Sequence, residues 1–136
     1  MDVSERSLHH HPVDDRRKIV LVGPCASGKT TLAHNLEAHG HDVRICGQEH
    51  SGIRDFWRLM DPDVLVALDV DLPTLRLRRS SAWPEHLYDV QRGRLASAFA
   101  AADVVVDSAS NDANAVADRV LSWLETHRTA RQSRNA

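Results

Sequence analysis

Cysteine is scarce in this sequence. Its 136 residues include two, Cys25 and Cys46, too few for a disulfide scaffold or a zinc site, and that usage fits a reducing, cytoplasmic setting. Long hydrophobic runs are missing as well. Nothing approaches the ~20 consecutive apolar residues that span a bilayer, and the N-terminus lacks the apolar core of a secretion signal, so a soluble protein with no membrane partner is expected. There is no surplus of positive charge: Lys+Arg 17 against Asp+Glu 19 gives −2. Residues 18–127 hold 11 basic and 15 acidic side chains, an acidic body that argues against a nucleic-acid partner. Lysine in that body is confined to Lys18 and Lys29. No internal repeat is present. The length suits one domain with a real core, 42% of the residues being apolar, and leaves no room for a second catalytic domain.

What is present is concentrated between Lys18 and Leu32. The run Ile19-Val20-Leu21-Val22 breaks into Gly23-Pro24-Cys25-Ala26-Ser27-Gly28-Lys29-Thr30, a complete GxxxxGK[ST] pattern, and Leu32, Ala33 and Leu36 then recur at helical spacing up to Gly40. Each residue type suits phosphate binding. Gly23 and Gly28 let the backbone N–H groups, those of Ala26 and Ser27 among them, curl round a β-phosphate; Lys29 neutralises terminal oxygens, and the Thr30 hydroxyl reaches Mg²⁺. The following helix aims its positive N-terminal end at the same anion, with Thr31 a further contact for an α-phosphate. A nucleotide-phosphate site is therefore expected here.

The flanking chain supplies candidates for the rest of a site. Residues 1–17 are polar and aperiodic and read as a flexible tail, in which the His9-His10-His11 tract is not by itself a metal site. Val43 and Ile45 alternate within a short strand, His41 to Cys46. Gly47-Gln48-Glu49-His50-Ser51-Gly52 follows, where open α/β sheets bind ligands. Ile53, Phe56, Trp57 and Met60 fall at helical spacing, with Ser51 as N-cap and Pro62 past the end; the aromatics read as core, Trp57 also as a substrate wall. Val64 to Val70, apolar apart from Asp69, suits a strand buried on both faces. Asp71 then caps a helix through Thr74, Leu75 and Leu77. Arg76, Arg78, Arg79, Arg92 and Arg94 are five of the nine arginines in residues 18–127 and bracket Ser80 to Pro84. A helix with Leu87, Gln91, Leu95, Ala98 and Ala102 on one face, a strand Asp103 to Asp107, and a helix bearing Val116, Val120, Trp123 and Leu124 complete the body before a basic tail, 128–136.

Together, residues 18–127 resemble the P-loop kinases of the nucleoside and nucleotide kinase type. The loop carries most of the resemblance. Val66 to Pro73 followed by Arg76 to Arg79 is similar to the strand, helix and arginine-bearing lid of those kinases, and Asp103 to Ser108 is similar to their last strand, whose following loop cups adenine. The resemblance implies a three-layer α/β fold with a parallel sheet of about four strands, where the family usually has five, and Mg²⁺ and ATP as cofactors. If one strand has been lost, His41–Cys46 neighbours the loop strand and Glu49 stands where the family has its acidic residue; Asp69 is the alternative. Phosphotransfer to a small-molecule acceptor is then expected. Lys29 would hold phosphates, Thr30 and Glu49 would serve Mg²⁺, and Glu49 would also take the acceptor proton. Arg79 and Arg94, with Arg76 or Arg92 behind them, would close over the transferring group. Ser108 and Ser110, in the Ser108–Asn111 loop, would face adenine, while Gln48, His50, Ser51 and Trp57 would face the acceptor. Only residues 46–62 are left to hold that acceptor, so it should be small. The rival reading is a nucleotide-binding regulatory or switch module with slow or no hydrolysis. No Asn/Thr-Lys-x-Asp guanine motif occurs, which argues against a GTPase switch.

Overall fold

The computed structural model describes residues 15–128. The His9–His11 tract, the rest of residues 1–14 and residues 129–136 lie outside the described residues, and with them most of both segments read as tails. Four aliphatic runs form a parallel sheet: β1 (Lys18–Val22), β2 (Asp42–Ile45), β3 (Val64–Asp69) and β4 (Val104–Asp107), in the order β2-β1-β3-β4. Lys18 stands opposite Asp42, Val20 opposite Leu65 and Val66 opposite Val104. The chain also forms α1 (Lys29–Ala38), α2 (Leu72–Arg78), α3 (Glu85–Ala101) and α4 (Ala113–Thr126).

Helices cover both faces of the sheet, which explains the unbroken apolar runs of β1 and β3. Ile19 and Leu21 point to one side, where they pack with Leu32 and Leu36 of α1 and Val116, Val120 and Leu124 of α4. Val20 and Val22 point to the other, against Trp57 and against Leu95 and Ala98 of α3. The edge strands β2 and β4 are each buried on one face only, and they read as alternating. Asp71 caps α2 as its position suggests, its Oδ1 accepting from the Thr74 amide at 2.8 Å. Asp112 does the same for α4, accepting from the Ala115 amide at 2.8 Å.

Two local expectations are corrected. The Ile53–Met60 stretch is not an α-helix capped by Ser51. Asp55 and Asp61 both adopt left-handed backbone (φ 57° and 51°), and between them lies only a five-residue 3-10 turn, Phe56–Met60. Ser51 Oγ instead accepts from the Ile53 amide, and Ile53 is 59% exposed. Within α2, Leu75 is buried while Leu77 is 88% exposed. On α3 the buried stripe runs through Gln91, Leu95 and Ala98, while Leu87, one turn earlier, is exposed. At the other end of the body, Arg17 is buried. Its Nη2 donates to the Leu124 carbonyl at 2.8 Å and pairs with Asp15 Oδ2 at 2.7 Å, so these residues clasp the end of α4.

Because all four strands run the same way, their C-terminal ends deliver every following loop to one rim of the sheet. From β1 the chain steps outward to β2 and then back across to β3. The β1 end is therefore the topological switch point, where a parallel sheet leaves a crevice. Among the described residues, no helix is long and apolar enough to cross a membrane.

Candidate functional site

The Gly23–Thr30 loop fills that crevice, and its backbone dictates its sequence. A Cβ on Gly23 would lie 2.6 Å from the Leu68 carbonyl oxygen and 2.6 Å from Ser27 Oγ, so no side chain fits there. Ala26 is left-handed at φ 62°, and so is Gly28 at φ 95°. For Gly28 this is unstrained; for Ala26 it costs about 1–2 kcal/mol. Gly28 opens α1 with no capping side chain, and a Cβ there would meet nothing within 4 Å. The first-turn N–H groups of α1, which no helix satisfies internally, thus face open space with a positive dipole behind them.

Two side chains from distant elements brace this loop. Gln91 is buried on α3 and binds Cys25 twice: Oε1 accepts from its amide at 3.1 Å, and Nε2 donates to Sγ at 3.2 Å. Arg78 at the end of α2 donates through Nη1 to the Ala26 carbonyl at 2.7 Å and through Nη2 to the Ser108 carbonyl at 2.6 Å. It joins the glycine-rich loop to the loop after β4. That second loop is itself prefolded. Asp107 Oδ1 accepts from the Ala109 and Ser110 amides at 2.8 and 3.2 Å, and the Asp107 carbonyl accepts from Asn111 Nδ2 at 2.7 Å. Hydrogen bonds from Ser110 and from these amides hold the Asp107 carboxyl below its ordinary value.

Lys29 and Glu49 meet at the centre. Lys29 Nζ donates to Glu49 Oε2 at 2.8 Å, to the Gly23 carbonyl at 2.6 Å and to the Pro24 carbonyl at 3.2 Å, so its three protons have three acceptors. Both side chains are nearly enclosed, at 11% and 6% exposure. Glu49 lies in the 3-10 turn Gln48–His50 just past β2. Its other oxygen, Oε1, is buried with no hydrogen-bond partner among the described residues. His50 Nε2 stands 3.7 Å from Glu49 Oε2 and 3.7 Å from Cys25 Sγ.

Three cavities lie along these loops, and the pair lines one of them. One of about 350 Å³ is lined by Cys25 through Thr31 together with Glu49, His50 and Arg79. A second, of about 370 Å³, shares Ala26, Ser27, Gly28, Thr31 and Arg79 with it and extends to Ser108, Asn111 and the start of α4. The third, about 450 Å³, is bounded by Gln48, Ser51, Gly52, Ile53 and Arg94, and neither Lys29 nor Glu49 lines it.

Seen against the sequence, Lys29, Thr30, Glu49, His50 and Arg79 come together around one cavity. Arg94 is adjacent, its Nη1 reaching the Glu49 carbonyl at 3.4 Å. Gln48, Trp57, Ser108 and Ser110 sit differently. The Gln48 amide is consumed inside the chain, donating to the Ile53 carbonyl and accepting from the Trp57 amide. Trp57 is a core residue whose Nε1 donates to Ser97 Oγ at 3.2 Å. Ser108 Oγ donates to the Asp69 carbonyl at 3.0 Å, and Ser110 lies outside the cavity that Ser108 and Asn111 line. Of the remaining arginines, Arg76 donates to the Trp83 carbonyl, and Arg92 pairs with Asp69 while stacking over Tyr88 and Phe99. Asp69 is thus committed to Arg92 and not to Lys29. The sequence did not single out Arg78 or Gln91 as loop supports. A glutamine on an otherwise apolar helix stripe was the one available signal.

Compared with family models, with curated proteins and with solved structures, the chain matches none.

Proposed function

We propose that this chain is an ATP-dependent phosphotransferase acting on a small acceptor. The observation that carries the reading is the enclosed Lys29–Glu49 pair, which lines the cavity of the glycine-rich loop. The loop side offers a left-handed Gly28, uncapped helix amides and a lysine, which together form an anion cradle. A triphosphate there would extend its nucleoside into the adjoining space by Ser108 and Asn111, which Arg78 holds in register with the loop. The acceptor would occupy the third cavity, within reach of Arg94 and Ser51.

Phosphoryl transfer asks the protein mainly for positioning and charge neutralisation. Lys29 is tied to Glu49 and to two loop carbonyls. Phosphate oxygens compete for that ammonium. As Lys29 turns to them, Glu49 would lose its cation and become a free carboxylate lining the loop cavity, able to take the acceptor's hydroxyl proton or to orient it. Arg79, exposed and lining both loop-side cavities, is placed to follow the charge that develops in transfer. The Thr30 hydroxyl and the Glu49 carboxylate line one cavity and are hard oxygen donors of the kind Mg²⁺ takes. Mg²⁺ bound with the nucleotide would neutralise and bridge the terminal phosphates.

The rival reading, a nucleotide-binding regulatory module, assigns the arginines to a protein partner. Arg79 and Arg94 line cavities, while Arg76 and Arg92 are engaged inside the chain, and this distribution favours the enzyme. The direct test is Lys29→Ala, with ATP loss and acceptor mass change followed across nucleosides, sugars and small phosphorylated metabolites. The native chain should turn over at least one acceptor. The variant, still folded by circular dichroism, should lose both ATP binding and turnover. Unchanged ATP affinity in the variant would refute the reading.

A further inference from the structure

Cys25, Glu49 and His50 place a thiol, a carboxylate and an imidazole with their ligand atoms within 4.8 Å of one another. We propose that this cluster is a binding site for a borderline-soft divalent cation of the zinc class. A tetrahedral zinc ion bound at about 2.3 Å to sulfur and about 2.05 Å to nitrogen separates those two atoms by about 3.5 Å. Cys25 Sγ and His50 Nε2 are 3.7 Å apart, and the same Nε2 is 3.7 Å from Glu49 Oε2. The three donors therefore need little movement to share one ion.

A second observation points to a cation independently of that spacing. Glu49 Oε1 is buried without a hydrogen-bond partner among the described residues, on a side chain that is 6% exposed. It is not the oxygen that Lys29 holds, so an ion bound through Oε1 would remove its desolvation cost and leave the pair of Oε2 with Lys29 in place. The surroundings also suit a metal. Gln91 Nε2 donates to Cys25 Sγ at 3.2 Å, the kind of outer hydrogen bond that fixes a thiolate ligand. The His50 side chain is 65% exposed, which leaves a path from solvent and room for a water as fourth ligand. Sulfur and imidazole select zinc-class ions over Mg²⁺ or Ca²⁺. The Lys29 ammonium opposes a dication here, and the charge of the Cys25 thiolate, whose proton leaves to solvent on binding, offsets it. Two cysteines in the whole chain are too few for an all-cysteine site; folding supplies the other donors. Glu49 is common to this site and to phosphotransfer, so such a cation would compete with nucleotide for it.

Cobalt(II) is the probe, because its bond to a thiolate gives a near-ultraviolet charge-transfer band that histidines alone, such as the His9–His11 tract, do not produce. The full chain, titrated without nucleotide, should develop that band to saturation at one equivalent, and zinc should bleach it. Cys25→Ser should abolish the band and Cys46→Ser should keep it, while His50→Gln and Glu49→Gln should each weaken the apparent affinity at least about tenfold. Should Cys25→Ser fail to fold, the native chain gives the answer: zinc should shield Cys25 from iodoacetamide, as read from the mass of its peptide. Absence of the band, a band that depends on Cys46, or equal labelling of Cys25 with and without zinc would overturn the proposal. No nucleotide enters these measurements, so their failure is distinct from failure of the phosphotransfer reading.

Discussion

Glu49→Gln separates the hold of Glu49 on Lys29 from what Glu49 would do in turnover. The substitution keeps the shape and an acceptor oxygen while removing the charge that holds Lys29 at 2.8 Å. A hydrogen bond to a charged group contributes about 1.5–3 kcal/mol, and because the pair is nearly enclosed, solvent screening reduces it little. In the native chain a triphosphate must displace that interaction before it gains Lys29; in the variant it need not. ATP binding measured by calorimetry in the presence of a chelator, so that no metal contributes, should therefore tighten by about 10-fold to about 150-fold, at 1.4 kcal/mol per decade. With Mg²⁺ present, phosphotransfer should fall by orders of magnitude, since no carboxylate remains to receive or orient the acceptor proton. Tighter binding with lost turnover is the combination that a competitor for Lys29 doubling as base must give. ATP binding weakened tenfold in chelator would refute the reasoning, because it would mean that Glu49 supports the phosphates rather than withholding Lys29 from them.

Adjacent arginines should give opposite signatures. Arg79→Ala should keep the ATP dissociation constant within about tenfold, ~1.4 kcal/mol, while slowing phosphotransfer by orders of magnitude, as loss of a transition-state arginine does; full turnover would remove Arg79 from the mechanism. Arg78→Ala, which cuts the link between the Ala26 and Ser108 carbonyls, should instead weaken ATP binding by roughly tenfold, and an unaltered affinity would count against that bracing role. Asp69→Asn breaks a half-exposed pair with Arg92, so denaturant unfolding should register about 0–1 kcal/mol with turnover nearly unchanged; collapse of turnover with ATP binding intact would make Asp69, not Glu49, the working carboxylate. His41 is buried, with Nδ1 lacking a hydrogen-bond partner among the described residues, and burial pushes its imidazole below the ordinary 6.5, Asp15 opposing the shift and Arg17 adding to it. Between 6.5 and that lower folded value the unfolded chain binds more protons than the native one, so stability rises with pH and is lost as pH falls through the window. Denaturant midpoints taken from about pH 5 to pH 7.5, the range in which histidine changes charge, should show this slope, and His41→Gln should flatten it; an identical slope in the variant would refute the assignment.

The sequence by itself determined what short-range physics determines. The apolar run from Val64 to Val70, broken only by Asp69, suits a strand covered on both faces, and the run at 19–22 leads straight into the glycine-rich loop; they are β3 and β1. A glycine was required at 23 by close backbone approach and suited 28 by its left-handed turn, and Asp71 caps a helix from its own position. Such features rest on residues within a turn or two of one another, so a pattern records them. Only the tertiary structure decided which carboxylate meets Lys29. Glu49 is 20 residues away and Asp69 ends an equally plausible strand, and both β2 and β3 lie beside β1; the side-chain partners decide, the turn after β2 bringing Glu49 to Lys29 while α3 brings Arg92 to Asp69. It likewise chose between neighbours. Arg78 reaches Ala26 across 52 residues while Arg79 faces the cavities, a difference of the ~100° that one residue turns on a helix. The stretch at 53–60 shows the same division from the other side. Its helical spacing was genuine, but Asp55 and Asp61 turn left-handed to fit the chain between β2 and β3, and a helix with only five residues to span gives way to a 3-10 turn. Spacing fixes which residues can share a face; which face meets which partner is set by packing between elements far apart in the chain.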